Sequence, residues 1–240
     1  MKNRFSHFDK AGGIHYGFSS KTDGSMRPTD PDLSKHQKEF LASAGLSDKK
    51  LMRTKQVHGS QIVSVSHDLS EPQEADGMIT GLSDVVLGMV SADCVPVLFY
   101  DPKKKIVALV HAGWKGITQG IISETMKSFL EAGTNVSDIL VGIGPSIRSC
   151  CYSVDGARVS VFEKTFPLSS LEKNIETRNS ICYLSLQGVI VRELQKLGIL
   201  QNHIEDLGIC TACSGEYFSY RASTDKTNFA EFLSVIAIHE

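Results

Sequence analysis

The sequence has no apolar run approaching the ~20 residues of a membrane-spanning helix, so a bilayer protein is not expected. It has no excess of one charge. Its 25 Lys and Arg stand against 27 Asp and Glu, and a net charge of −2 offers no electrostatic case for nucleic acid or an anionic membrane as partner. It has no internal repeat, low-complexity tract or Pro-rich linker, and a single domain over residues 1–240 is expected. The opening residues Met1-Lys2-Asn3-Arg4-Phe5-Ser6-His7 lack the apolar stretch of a secretory signal, which gives the expectation of a cytoplasmic, monomeric protein. With no such signal, the 6 cysteines are expected as reduced thiols or ligands rather than as a disulfide framework.

What the chain does have is alternation and punctuation. Ile14 to Ser19 alternates and carries aromatics, as a strand does. Lys21 to Asp32 is a Gly, Ser, Pro and Asp loop, after which Asp32 or Ser34 can cap a helix running to about Ala44. Gln61 to Ser66 alternates strictly, and His67 to Asp76 is polar and loop-like. Val85 to Val90 and Val95 to Tyr100 are apolar and β-branched, and the Asp101-Pro102-Lys103-Lys104-Lys105 turn joins the second to Ile106–His111 as a hairpin. Ile117 to Ala132, Gly156 to Phe166 and Leu186 to Leu197 have helical spacing. Ile139 to Ile143 and Glu231 to Ile238 are apolar strands. Hairpins mixed with helices predict an α/β (α+β) domain whose mixed β-sheets are covered by helices.

The stretch Val107 to Gly116 organises the rest. Its apolar strand is closed by His111, and the Gly113-Trp114-Lys115-Gly116 corner follows. Two other segments are punctuated alike: Gln56-Val57-His58-Gly59 and Ser91-Ala92-Asp93-Cys94. Two imidazoles and one thiolate make a borderline-soft donor set suited to Zn²⁺ or copper, with a fourth position left open as in catalytic sites. Spacing alone leaves a second reading open: a core His, a buried Cys and a loop His. Arg53, Lys55, Lys115, Arg148 and Arg221 lie within or beside these segments and are candidates for binding an anion. Lys115 is the foremost, since the corner fixes it near His111. Asp93 is the carboxylate next to Cys94, suited either to acid/base work or to holding its loop. Trp114 and Tyr152 could stack on a flat ring or simply pack. Cys150-Cys151 and Cys210-Thr211-Ala212-Cys213 could together close a second zinc site, but adjacent cysteines rarely give good tetrahedral geometry, and a second metal is not expected. Cys182 reads as a buried thiol.

Five blocks occur in order: Gln56-Val57-His58-Gly59; Ala92-Asp93-Cys94-Val95-Pro96-Val97; His111 to Gly116; Gly144-Pro145-Ser146-Ile147 with Cys150-Cys151-Tyr152; and Phe218-Ser219-Tyr220-Arg221. This arrangement, from about His15 to Arg221, resembles the multicopper polyphenol oxidoreductase (laccase-domain) family, whose members are also named purine nucleoside phosphorylases and peptidoglycan editing factor. The resemblance implies that His58, Cys94 and His111 bind zinc. It implies a fold similar to that of the cytotoxic necrotising factor-like cysteine hydrolases. It further implies a zinc-dependent purine nucleoside phosphorylase that splits adenosine, inosine or methylthioadenosine with phosphate, with adenosine deaminase as a further activity. His58, Cys94, His111 and Asp93 would then be catalytic, and Lys115, Arg53, Arg221 and Trp114 would contact substrate. The H-x-E and P-C-x-x-C pattern of zinc nucleobase deaminases is absent, so a deaminase here would be of another kind.

Two other chemistries fit parts of this pattern. A copper polyphenol oxidase needs many His ligands, and this chain has 8 His and no H-x-H pair. A Cys-His hydrolase or amidase acting on peptidoglycan precursors would use Cys94 as nucleophile and His111 as base.

Overall fold

The computed structural model describes residues 3–67 and 71–239. Of the predicted loop from His67 to Asp76, residues 68–70 lie outside the described residues, as do the first two residues and the last of the expected 1–240 domain.

Two sheets stack face to face, beside a small third one made of Ile175–Arg178, Ile181–Leu184 and Ser153–Val154. One has four strands, in the order Ile14–Phe18, Phe232–Ile238, Val85–Ser91 and Lys50–Met52. The other has six, in the order Ile204–Asp206, Leu140–Ile143, Val95–Asp101, Ile106–Ala112, Gly77–Thr80 and Ile62–Ser64. Both mix parallel and antiparallel pairs.

The period of two in each strand builds the layers. Val85, Leu87 and Met89 meet Leu98, Tyr100, Val107 and Leu109 in a core between the sheets. The alternate residues Val86 and Val90 face Phe40 and Leu46, on and just after the helix Leu33–Ser43, on the outer side. On the far side of the six-stranded sheet, Val97, Phe99, Ala108 and Val110 pack against Ile122, Met126 and Phe129 of the helix Ile121–Glu131. The same core takes in Val189, Ile190 and Leu194 of the helix Leu186–Lys196. The two sheets are therefore sandwiched between helices. With both faces covered, their central strands are continuously apolar rather than half polar.

The hairpin turn at 101–105 is tight. The buried carboxylate of Asp101 accepts hydrogen bonds from the backbone of Lys103 (2.8 Å) and Lys104 (3.0 Å), and Lys105 takes a left-handed φ of 53°. This turn sets the pairing of the two strands, with Pro96 opposite His111 and Val95 opposite Ala112.

The predicted helix Ile117–Ala132 is two helices. Trp114–Thr118 ends at Gln119, and Ile121–Glu131 begins after Gly120, whose φ of 86° only glycine adopts cheaply. The predicted strand Gln61–Ser66 is only Ile62–Ser64. Several elements had no sequence signal: the helix Ser6–Ala11, the strands Lys50–Met52, Gly77–Thr80 and Ile204–Asp206, and the hairpin Ile175–Arg178 with Ile181–Leu184. Each has six residues or fewer, too few for a period to show. Among the described residues no helix is long and apolar enough to cross a membrane.

Candidate metal centre

His111 has the same parity as Val107 and Leu109, so it points to the intersheet side, at the end of its strand. Cys94 has the parity of Leu98 and Tyr100 and sits just before the neighbouring strand. The hairpin register thus brings both groups to one end of the sandwich. His58 comes from a loop, in the left-handed conformation with φ 60°. Three contacts hold that loop. The Gln56 amide pairs with the backbone of Val90, its nitrogen donating to the carbonyl (2.8 Å) and its oxygen accepting from the N–H (3.0 Å). The N–H groups of Val57 (3.0 Å) and Gly59 (2.7 Å) both donate to Oδ2 of Asp76.

Asp76 is fully buried and ties the two imidazoles together. Its Oδ1 lies 2.8 Å from His111 Nδ1, which fixes that ring and leaves Nε2 for the centre. One donor atom from each of His58, Cys94 and His111 falls within 4.8 Å of the other two. The rings of His58 and His111 stand 4.8 Å apart at 83°.

Gly113 explains how the corner comes so close. A Cβ there would lie 3.0 Å from Cys94 Sγ and 3.2 Å from His58 Cδ2. At Gly116 a Cβ would meet the Gly59 carbonyl oxygen at 2.6 Å. The Gly-Trp-Lys-Gly corner is therefore a packing requirement of the His58 loop.

Without a metal, the electrostatics are those of a thiolate–imidazolium pair whose proton a bound cation would displace. Burial alone would raise the Cys94 thiol, but His111 and His58 outweigh it and bring it down to about 6. Burial alone would disfavour a charged His111, but Cys94 and Asp76 push it up to about 10. Burial would also raise Asp76, yet His111 and the Gly59 and Val57 amides hold it below the usual carboxylate range. A thiolate, two imidazoles and a carboxylate oriented behind one of them are the donors a zinc-type ion requires, so the residues fit such an ion. His58 is exposed and Cys94 half-buried, which leaves one side of the centre open.

That side is the floor of a cavity of about 620 Å³. Trp114, Tyr152, Tyr220 and Phe229 supply its aromatic walls, and Arg53, Lys55, Asp93, Arg158, Arg221 and Glu231 bring charge to it. The Arg158 guanidinium lies 4.5 Å over the Trp114 ring. Burial lowers the pKa of Arg53, with Glu231 acting against it, and Arg53 makes no hydrogen bond among the described residues. Burial raises the Glu231 carboxyl, against the pull of His111, Arg27, Arg53 and His58.

Of the expected substrate contacts, Arg53, Trp114 and Arg221 line this cavity. The Arg221 side chain is already engaged, donating to Ser153 Oγ (2.8 Å), Ser153 O (3.0 Å) and Cys151 O (3.3 Å). Lys115 is not brought to the cavity. It is exposed, one residue round the short helix from Trp114, with its ammonium 5.8 Å from the centre of that ring. Lys55 pairs with Glu74 (2.7 Å) and Arg148 with Asp206 (2.7 Å). Both Asp93 oxygens are taken, by Thr211 Oγ1 (2.7 Å) and the Arg221 N–H (2.6 Å), so Asp93 has the loop-holding geometry. Asp76, Arg158 and Glu231 had no signal in the sequence. Asp76 closed what read as a polar loop, Arg158 sat inside a helix, and Glu231 opened a strand.

Residues 5–239 match the family described as Multi-copper polyphenol oxidoreductase laccase. The chain is 38% identical over 172 residues to a purine nucleoside phosphorylase of Clostridium acetobutylicum, covering 70% of this chain and 69% of that one. It is 28% identical over 246 residues to the purine nucleoside phosphorylase LACC1 of Mus musculus, covering 94% of this chain but only 56% of that relative's length. The crystal structure of YlmD from Geobacillus stearothermophilus superposes with a TM-score of 0.87 at 27% identity, covering 95% of this chain and 93% of that one.

Proposed function

The chain belongs to the multi-copper polyphenol oxidoreductase laccase family, and from that premise we propose that it is a zinc-dependent purine nucleoside phosphorylase. The observation that carries this reading is the set of three donors, within 4.8 Å of one another, on the floor of an aromatic-walled cavity. A zinc ion held by His58, Cys94 and His111 would supply a Lewis acid and a coordinated water acidified to about 7.

The chain's own residues supply the rest. Trp114, Tyr152, Tyr220 and Phe229 give the cavity an aromatic lining against which a purine would pack. Arg53 is a half-buried cation without a hydrogen-bond partner among the described residues, and a phosphate or phosphate-like oxyanion would give it one. Arg158, held over Trp114, is a second donor beside the base. In phosphorolysis a phosphate oxygen bonds to C1′ of the sugar as the C1′–N bond breaks, and its electron pair passes to the purine. That departure is eased by a proton on a ring nitrogen of the base. Glu231, whose carboxyl burial raises against the pull of His111 and Arg27, is the group we assign to hold that proton. Asp93 we assign to positioning its loop, and Lys115 to the surface.

Incubating the purified protein with inosine and phosphate should yield hypoxanthine and sugar 1-phosphate, with no base released when phosphate is omitted. Adenosine without phosphate tests the deaminase activity through inosine formation. If neither substrate turns over in zinc-loaded protein, the reading fails. One observation favours a second chemistry. Asp76, His111 and Cys94 form a carboxylate–imidazole–thiol line such as Cys-His hydrolases use. Under that reading metal-free protein would be the active form, and alkylating Cys94 would abolish its hydrolysis of an amide substrate. The centre's two imidazoles do not favour a copper oxidase, which needs many more.

A further inference from the structure

A second cluster lies outside the cavity. Cys150 and Cys151 follow the strand-end turn at 144–149, and Cys210 and Cys213 belong to the turn after the edge strand Ile204–Asp206. All four sulfurs lie within 4.8 Å of one another. Cys150 and Cys213, separated by 63 residues in the chain, bring their sulfurs to 3.8 Å. Four thiolates around a zinc ion at ~2.3 Å stand at the corners of a tetrahedron whose edges are ~3.8 Å. That distance is nearly twice the ~2.05 Å of a disulfide bond.

We infer that Cys150, Cys151, Cys210 and Cys213 form a closed four-thiolate site for a structural Zn²⁺, separate from the centre at His58, Cys94 and His111. The sequence argued against it because Cys150 and Cys151 are adjacent. The fold answers that objection by folding the backbone back at this point. The N–H of Cys151 donates to Arg148 O (2.9 Å), as does that of Tyr152 (2.8 Å), and in this tight turn both sulfurs reach the same partners. The facing loop is equally prepared. Cys210 is buried on this loop, and its sulfur faces those of Cys150, Cys151 and Cys213. The turn itself is closed by Ser214 N–H to Cys210 O (3.0 Å), and Thr211 N–H to Ser146 O (3.1 Å) joins it to the other loop. Cys150 and Cys213 are exposed, so an ion has a way in.

Tyr152 follows Cys151 directly in the chain, whereas Tyr220 and Arg221 stand well beyond Cys213.

The test counts zinc and thiols rather than turnover. A Cys94→Ala variant disables the first centre, and it should still carry one zinc per chain by elemental analysis and native mass spectrometry. Adding Cys213→Ala, or Cys150→Ala should the first double variant not fold, should remove it. In unmutated zinc-loaded protein the four thiols should resist iodoacetamide, and a strong chelator should expose them together. Zinc absent from the Cys94→Ala protein, alkylation of the four thiols indifferent to chelator, or a Cys150–Cys213 disulfide in peptide maps of freshly purified protein would each overturn the inference.

Discussion

Two clusters of soft donors lie in this molecule, and they are built on opposite plans. The first takes one thiol and two imidazoles from two strand ends and one loop, places them at the end of a double-sheet core, and backs them with the buried carboxylate of Asp76. The second takes four thiols from two turns, with Cys210 buried and Cys150 and Cys213 exposed. The first has three donors and an open side facing a cavity; the second is closed. Zinc chemistry separates the same two cases, three protein ligands with a vacancy for reaction and four without one for structure. The contrast teaches that the two kinds of site demand different scaffolds. A reactive centre is held by the core with one side left open, whereas a closed one joins two turns at the core's margin.

The largest blow to that comparison would be a failure of the functional asymmetry. Cys94→Ala and His111→Ala should each bring phosphorolysis to background, a loss of at least ~10³-fold. Cys213→Ala should leave kcat within a factor of ~3. Equal losses from both would merge the two roles. Next is Asp76→Asn, which keeps the side chain's shape but removes the charge behind His111. It should cost roughly 10–100-fold in metal affinity or activity, read by competition with a zinc chelator. An effect below ~3-fold would mean that the loop and His111 need no common anchor.

The second cluster should show in stability instead. Closing the 63-residue separation between Cys150 and Cys213 is worth up to about 4 kcal/mol by chain entropy. At roughly 2–4 °C per kcal/mol for a chain near this size, Cys213→Ala should lower Tm by roughly 8–16 °C in scanning calorimetry. The pH dependence sharpens the first cluster. A thiol whose native pKa lies below its unfolded value adds stability that is complete above that unfolded value, near ~8.5, and fades as pH falls through about 6. Thiolate absorbance of metal-free protein should therefore persist at pH 7 and fall through its midpoint near about 6, and Cys94→Ser should abolish that titration. The smallest expected effect is that of Lys115→Ala. Because the residue faces solvent, KM for phosphate should move by less than ~2-fold, while Arg53→Ala should raise it by at least ~10-fold.

Much of this was legible in the chain before its fold was known. Continuous apolar strands flanked by turn residues located the central strands of both sheets. The punctuated segments around His58, Cys94 and His111 named the three donors that meet. The illegible parts share a cause: their meaning lies in a partner distant in sequence. Asp76 looked like the end of a polar loop, because nothing local reveals that its carboxylate receives two amides and an imidazole from other segments. Glu231 and Arg158 had ordinary positions in a strand and a helix, and only the cavity gives them a common surface. Lys115 erred the other way: adjacency along the chain suggested proximity to His111, but one step around a helix carried it to solvent. Cys150 and Cys151 are adjacent in the chain, and a tight backbone turn sends both sulfurs to one place.

The tight connection at 101–105 lies at the opposite end of its hairpin from Cys94 and His111, and yet it meters them. One residue added there would slip the pairing by a notch and deliver a valine or an alanine where the imidazole now stands. Chemistry at one pole of the molecule is thus calibrated by the length of a bend at the other. That bend should tolerate changes of residue type far better than changes of count.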